Sequence, residues 1–251
     1  MLSRRIVVCL DVQGGRVVKG TGFVNLRDVG DPVALATRYE AEGADEVVFL
    51  DIAASAEDRA TLFDVARRTA EQLFVPLTIG GGIRTADDVG HALRAGADKV
   101  SINSAAVRRP EVLREAAERF GAQCVVASID AKRNAGGWRV YVKGGRERTE
   151  LDAVAWAQEC VSRGAGEILL TSIDRDGART GYDVELTRAV ASAVTVPVIA
   201  SGGAGSAAHV CDALEAGADA ALLAGILHDG LTTVRAVKRA VADAGLPVRA
   251  A

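Results

Sequence analysis

Two aspartates, Asp11 and Asp130, each close a short apolar run of strand length, RIVVCLD at 5–11 and CVVASID at 124–130. Paired carboxyls at strand ends can divide acid–base work. One delivers a proton while the other removes one, provided their surroundings separate their pKa values. A single Asp in such a place would more simply cap a turn or pair with a nearby cation such as Lys19 or Lys132. The two together, at related places in an internal repeat, favour catalysis.

Glycine runs form a second constellation. Ile79-Gly-Gly-Gly-Ile83 and Ser201-Gly-Gly-Ala-Gly205 each follow a strand-like run. Bare backbone N–H groups can approach an anion closely where no side chain intervenes. Small or polar residues end the next runs, Asn103-Ser104 and Ala224-Gly225. Two equivalent pairs of loops predict two phosphate sites, and hence a long substrate with a phosphate at each end. Tight turns alone would explain one glycine run but hardly two in register. Asp176-Gly177 reads as a turn whose backbone can join the second site. The stretch 13–31 holds Gly14, Gly15, Gly20, Gly22 and Lys19. It reads as a long loop serving as a lid, with Lys19 either reaching a phosphate or simply solvated.

The elements that must position these residues follow from periodicity. Strands are predicted at 5–11, 46–52, 76–80, 98–103, 124–130, 167–172, 197–201 and 219–224. Helices are predicted at 32–42, 59–73, 86–95, 110–120, 152–163, 184–193, 206–216 and 231–244. Eight strand–helix units in 251 residues predict one α/β domain over 1–251, a (β/α)8 TIM barrel. Asp31-Pro32 reads as a helix cap with proline at the first position, and Thr85-x-x-Asp88 as a capping box. Residues 42–52 resemble 163–173 at an offset of 121. The same offset carries Val75-Pro76 to Val196-Pro197, Gly81-Gly82 to Gly202-Gly203 and Gly96-Ala-Asp98 to Gly217-Ala-Asp219. The barrel is therefore expected to be two half-barrels that close on each other, removing the raw edge each would expose.

Composition narrows the function. With 49% hydrophobic and 25% charged residues the chain is globular, and a net charge of −3 leaves no footprint for nucleic acid or an anionic membrane. No apolar run reaches the ~18 residues of a membrane span, and no signal peptide is read at the start. Cys9, Cys124, Cys160 and Cys211 form no C-x-x-C pair, and His91, His209 and His228 have no ligand spacing. Scattered thiols in a reducing cytoplasm, with no metal and no cofactor, are expected.

Cys9-Leu-Asp-Val12, Val17-Val-Lys-Gly20, Asn25-Leu-Arg-Asp28, Phe49-Leu-Asp-Ile52, Lys99-Val-Ser-Ile-Asn103, Asp130-Ala-Lys-Arg133 and Thr171-Ser-Ile-Asp-Arg-Asp-Gly177 run through residues 4–249. Together they resemble the cyclase subunits of imidazole glycerol phosphate synthase, of histidine biosynthesis. The resemblance implies a lyase in which ammonia attacks the ketone of the ribulosyl-formimino aminoimidazole carboxamide bis-phosphate, giving imidazole glycerol phosphate and aminoimidazole carboxamide ribotide. It implies that Asp11 and Asp130 are the catalytic pair. Gly82, Asn103 and Ser104 would hold one phosphate. Asp176, Gly177, Gly203, Ala224 and Gly225 would hold the other. Four positions depart from the family pattern: Ser104 and Ala178 where threonine is usual, Gly225 for serine, and Leu227 for phenylalanine. Two other readings stand beside it: the isomerase of the same pathway, an aldose–ketose rearrangement on the same two aspartates, and a non-catalytic phosphosugar-binding barrel.

Strand alternation also predicts what lies at the opposite end. If Asp11 points inward, so does Arg5; Asn103 inward carries Lys99, and Thr171 carries Glu167. The repeat puts Glu46 beside them (167 − 121 = 46). Four charges of alternating sign then line the N-terminal entrance beneath inward Val7, Val48, Thr78, Ser101, Val126, Ser128 and Leu169. By itself such a ring reads as a stabilising plug. The resemblance implies instead an ammonia entrance, because in that family a glutamine amidotransferase covers this face as the heterodimer partner. Asp98 and Gln123, near strand starts, are further candidate contacts with that partner.

Overall fold

The computed structural model describes residues 3–21, 24–52 and 56–250. Twelve strands are named among them: β1 (Arg5–Gln13), β2 (Arg16–Thr21), β3 (Val24–Gly30), β4 (Glu46–Asp51), β5 (Leu77–Gly80), β6 (Lys99–Ile102), β7 (Val125–Asn134), β8 (Gly137–Val142), β9 (Glu147–Asp152), β10 (Glu167–Ser172), β11 (Val198–Ser201) and β12 (Ala220–Leu223). Eight of them pair in parallel in the cyclic order β1-β4-β5-β6-β7-β10-β11-β12, and β12 pairs back onto β1 from Arg5↔Ala220 to Val8↔Leu223. The predicted TIM barrel is therefore closed, with one parallel strand for each predicted run.

Helices separate consecutive barrel strands: α1 (Pro32–Ala41), α2 (Ala56–Ala70), α3 (Ala86–Arg94), α4 (Ser104–Arg108), α5 (Glu111–Phe120), α6 (Ala153–Ser162), α7 (Val184–Ala191), α8 (Ala207–Glu215), α9 (Gly225–His228) and α10 (Val234–Asp243). Their starts obey local chemistry. Asp31 accepts the Ala34 N–H at 3.0 Å ahead of Pro32, and Thr85 and Asp88 close a reciprocal capping box. The 121-residue offset persists in these caps: Asp152 caps α6 as Asp31 caps α1, and Ser206 caps α8 as Thr85 caps α3.

The strands bury both faces, so two apolar layers result. Ile6, Val8, Leu10, Val47, Phe49, Ile79, Ile102, Ile129, Ile168 and Leu170 pack outward against the helices. Val7, Cys9, Val48, Val126, Leu169, Ile199, Ala220 and Leu222 fill the barrel. The alternation makes Asp11 and Asp130 inward residues, continuing Val7-Cys9 and Val126-Ser128 toward the C-terminal mouth.

One expectation needs correcting. Residues 13–31 are not an irregular loop. They hold β2 and β3, an antiparallel hairpin that continues from β1 through Asp11↔Val18 to Gln13↔Arg16; Gly22 lies outside the described residues. A matching hairpin, β8–β9, follows β7, with Asp130↔Tyr141 at its base. Alternating apolar residues explain both: Trp138, Val140 and Val142 carry the period of a half-buried strand. Arg16–Thr21 shifted by 121 is Gly137–Val142, so the repeat includes the hairpins.

Candidate active site

β1 and β7 lie four strands apart in either direction around the eight-strand barrel, so Asp11 and Asp130 face each other across one mouth. Both are half-buried. Burial pushes Asp11 up to about 7, and the nearby negative charge of Asp176 adds to the rise. Burial likewise raises Asp130, to about 6; the Asn103 side chain opposes that rise and Asp176 reinforces it. The opposing contact is a hydrogen bond from Asn103 Nδ2 to Asp130 Oδ2 of 2.9 Å. Donation to the ionised form stabilises it, so the two carboxyls are driven apart in acidity by a specific neighbour. Below Asp11, the Cys9 Sγ lies 3.9 Å from Oδ1.

The sequence places Asp176 in a turn beside the second expected phosphate site and gives it no part in the acidity of Asp11 or Asp130. Its own carboxyl is raised by burial, with the Gly177 amide holding it down in part. A third acidic group therefore stands at the mouth, electrostatically coupled to both aspartates. Its place after β10 was legible; its proximity to two other strands was not.

The two glycine loops are related in space as in sequence. A Cβ on Gly81 would lie 2.2 Å from the Asp51 carbonyl oxygen, and one on Gly202 would lie 2.7 Å from the Ser172 carbonyl. Those positions differ by 121, as do Asp51 and Ser172. In each half the loop after one strand presses against the end of the strand before it, with φ of +90° and +87°, where a side chain would be strained as well as crowded. Gly82, Asn103 and Ser104 gather after β5 and β6. Gly203, Ala224 and Gly225 gather after β11 and β12, with Asp176-Gly177 beside Gly202. Asn103 and Ala224 cap the matching short helices α4 and α9.

Side chains in these loops have further partners. The Ser104 Oγ accepts the Lys143 N–H at 2.9 Å, which ties the β8–β9 hairpin to the first loop pair. Among the described residues no donor reaches Asn103 Oδ1, although it is buried. Lys19 leaves the lysine-to-solvent alternative behind: its Nζ donates to the Gly225 carbonyl at 3.3 Å and to the Asp229 carboxylate. Arg179 and Asp229, also at this mouth, were not singled out from sequence.

At the N-terminal end the four predicted charges form a closed ring. Arg5 reaches Glu46 at 2.5 Å and Glu167 at 2.6 Å; Lys99 reaches Glu46 at 2.9 Å and Glu167 at 2.8 Å. Glu46 and Glu167 are buried, each held between two cations. Asp98 and Gln123 are exposed on that face, each with a local bond. Asp98 accepts the Leu77 N–H at 2.8 Å, as Asp219 accepts that of Val198 at 3.0 Å, and Gln123 donates to the Phe120 carbonyl at 3.2 Å. Phe74 projects beside Pro76 and Asp98, and is 95% exposed. Among the described residues no helix is long and apolar enough to cross a membrane, and no group of three or more His, Cys, Asp or Glu could hold a metal ion.

Residues 5–233 match the profile of a family described as histidine biosynthesis protein. The chain is 74% identical over 250 residues to the imidazole glycerol phosphate synthase subunit HisF of Myxococcus xanthus, covering 99% of both chains. It is 60% identical over 255 residues to the subunit of the same name from Synechococcus sp. strain CC9605, covering 99% of this chain and 100% of that one. The Trichormus variabilis subunit of that name is 59% identical over 254 residues, covering 99% of each.

Proposed function

This chain belongs to the histidine biosynthesis protein family, and from that premise we infer that it is the cyclase subunit of imidazole glycerol phosphate synthase, a lyase of histidine biosynthesis. The observation that carries the residue assignment is the pair of inward carboxyls, raised to about 7 and about 6, set between two glycine loops related by the repeat. One domain, residues 1–251, performs the whole reaction on a bis-phosphorylated substrate, acting in the cytoplasm.

The chemistry asks for protons at defined atoms. Ammonia adds to the ketone carbon of the substrate, and the former carbonyl oxygen takes protons and leaves as water. The new nitrogen then attacks the formimino carbon. The bond from that carbon to the amine of aminoimidazole carboxamide ribotide breaks, and the departing amine takes a proton. Near neutral pH Asp130 is largely ionised and Asp11 still holds protons for part of the time, so acid and base are available together. Gly82, Asn103 and Ser104 anchor one phosphate through the amides of their loops. Gly177, Gly203, Ala224 and Gly225 anchor the other, with Asp176 placing the turn and Lys19 supplying charge. The reacting bonds are thereby held at the centre of the mouth.

The deciding experiment supplies the ribulosyl bis-phosphate with concentrated ammonium salt and follows both products. Formation of imidazole glycerol phosphate and the ribotide is expected. Consumption of the aldose form without ammonia would identify the isomerase instead, and bound substrate that never turns over would leave a non-catalytic barrel. A second expectation concerns binding. Crystals soaked in sulfate should show two anions, one near Gly82 and Asn103 and one near Gly177 and Gly203. A single anion, with the other loop pair closed on itself, would defeat the two-phosphate reading.

Ammonia must come from elsewhere in the cell, and a glutamine amidotransferase subunit on the N-terminal face supplies it. The relatives are named as subunits, which supports a two-chain enzyme. The exposed Phe74, Asp98 and Gln123 offer contacts on that face, with the charged ring at its centre.

A further inference from the structure

The β2–β3 hairpin, the loop after β10 and the residue following α9 meet at one carboxylate. Lys19 and Arg179 both donate to Asp229 Oδ2, and Arg27 donates to Oδ1. Three cations against one anion leave two positive charges uncompensated within this group. The cluster borders the second phosphate loop. A Cβ on Gly225 would lie 3.3 Å from both Cε and Nζ of Lys19 and 3.9 Å from an Arg179 guanidinium nitrogen. Arg179 itself is held in left-handed backbone, at φ +59°, a conformation that is strained for a non-glycine residue. Its carbonyl oxygen presses on Gly205, where a Cβ would come within 2.0 Å. So Arg179 is placed, against its own preference, where its guanidinium reaches the loop after β12.

We propose that Asp229 is the resident counter-ion of the second phosphate site, holding Lys19 and Arg179 until the substrate's phosphate takes them over. A phosphate monoester brings about two negative charges and three acceptor oxygens, so it suits convergent cations better than a carboxylate does. Arg27 uses the other carboxylate oxygen, and the exchange leaves that bond intact. The hairpin therefore stays anchored to Asp229 through Arg27 while Lys19 and Arg179 turn to the phosphate on the amides of Gly203 and Gly225. Gly225 has no side-chain donor of its own, and the two cations provide what a hydroxyl there would have given. In the unliganded protein the same carboxylate keeps a cationic pocket from capturing stray anions, so it sets selectivity as well as affinity.

This inference rests on the second phosphate site being where the previous section puts it, and the test separates the two. Inorganic phosphate is titrated into the intact protein while amide resonances are followed by NMR. Gly203 and Gly225 report this site; Gly82 and Ser104 report the other and serve as the internal control. Asp229→Asn keeps the shape and removes the competing charge. It is expected to tighten phosphate about threefold at Gly203 and Gly225, the size expected for losing a partly exposed ionic competitor. Gly82 and Ser104 should be unaffected. Arg179→Gln should weaken binding at the same two amides by a similar factor. Unchanged or weaker binding in Asp229→Asn would overturn the proposal, as would equal tightening at both sites, which would mean a general field effect. If phosphate shifts neither Gly203 nor Gly225 in the unaltered chain, the phosphate site itself is misassigned.

Discussion

Asp11→Asn and Asp130→Asn are each expected to lower kcat by about 10²–10⁴-fold, the range ascribed to one positioned acid or base. KM for the bis-phosphate should change far less. Both side chains lie at inward ends of β1 and β7, and the glycine loops proposed to hold the phosphates follow β5 and β11, so their removal is expected to take away proton transfer and leave most of the anchoring in place. Turnover with ammonium, measured at constant free ammonia across pH, gives kcat and KM separately. Near-normal kcat in either variant would remove that residue from the chemistry.

The same substitutions carry a signature in stability that a structural aspartate would not give. Both carboxyls have folded-state pKa values above the usual range, about 7 for Asp11 and about 6 for Asp130. In that case the folded chain binds protons more tightly than the unfolded one. The contribution is fully present below pH about 4, where both states are protonated, and is lost as pH rises through 6 and 7. The wild-type chain thus keeps ionised, desolvated carboxylates at pH 8 at a cost that the asparagines avoid. Each variant should be more stable than wild type at pH 8, by on the order of 1–3 kcal/mol, with the difference closing toward pH 4. A loss of both activity and stability at pH 8 would instead mark the aspartate as part of the scaffold.

Periodic apolar runs and the 121-residue offset make the barrel and its two related loop pairs legible in the sequence. They succeeded because a strand buried on both faces and an amphipathic helix write themselves as period and length. The hairpins after β1 and β7 escaped because glycines and charges in Arg16–Thr21 look like loop, although Trp138-Arg-Val-Tyr-Val142 alternates plainly. What the chain could not reveal by spacing were contacts between distant loops. Asn103 sits 27 residues from the Asp130 it tunes, and Asp229 sits 210 from Lys19 and 50 from Arg179. Such contacts are products of closure, and they decide acidity and charge balance at the mouth while leaving no local pattern.

Strand alternation brings Arg5, Glu46, Lys99 and Glu167 together as a charged ring at the other end of the barrel. A plug for stability and an entrance for ammonia would share the same ion pairs among Arg5, Glu46, Lys99 and Glu167. Their consequences differ. Above the ring the interior is lined by Val7, Val48, Val126, Leu169, Ile199 and Leu222, with buried Thr78 and Ser101 among them. Neutral ammonia crosses such a lining far more readily than ammonium or other ions, which would lose hydration worth several kcal/mol. Lys99→Ala removes one of the two cations that close the ring while Arg5 still bridges both glutamates. The ring then opens without leaving either buried carboxylate alone. Free ammonium reaches the mouth directly from solvent, so ammonium-driven turnover should stay within about twofold of wild type, as for a change remote from the chemistry. If the ring is the entrance, glutamine-driven turnover with the proposed amidotransferase subunit should change by about tenfold or more, because ammonia would have to pass the ring without escaping or taking a proton there; one tenfold step corresponds to about 1.4 kcal/mol in the barrier. The decisive quantity is the ratio of products made to glutamine hydrolysed. If Lys99→Ala and Arg5→Ala alter both activities equally and leave that ratio untouched, the four charges serve stability alone and ammonia takes another path.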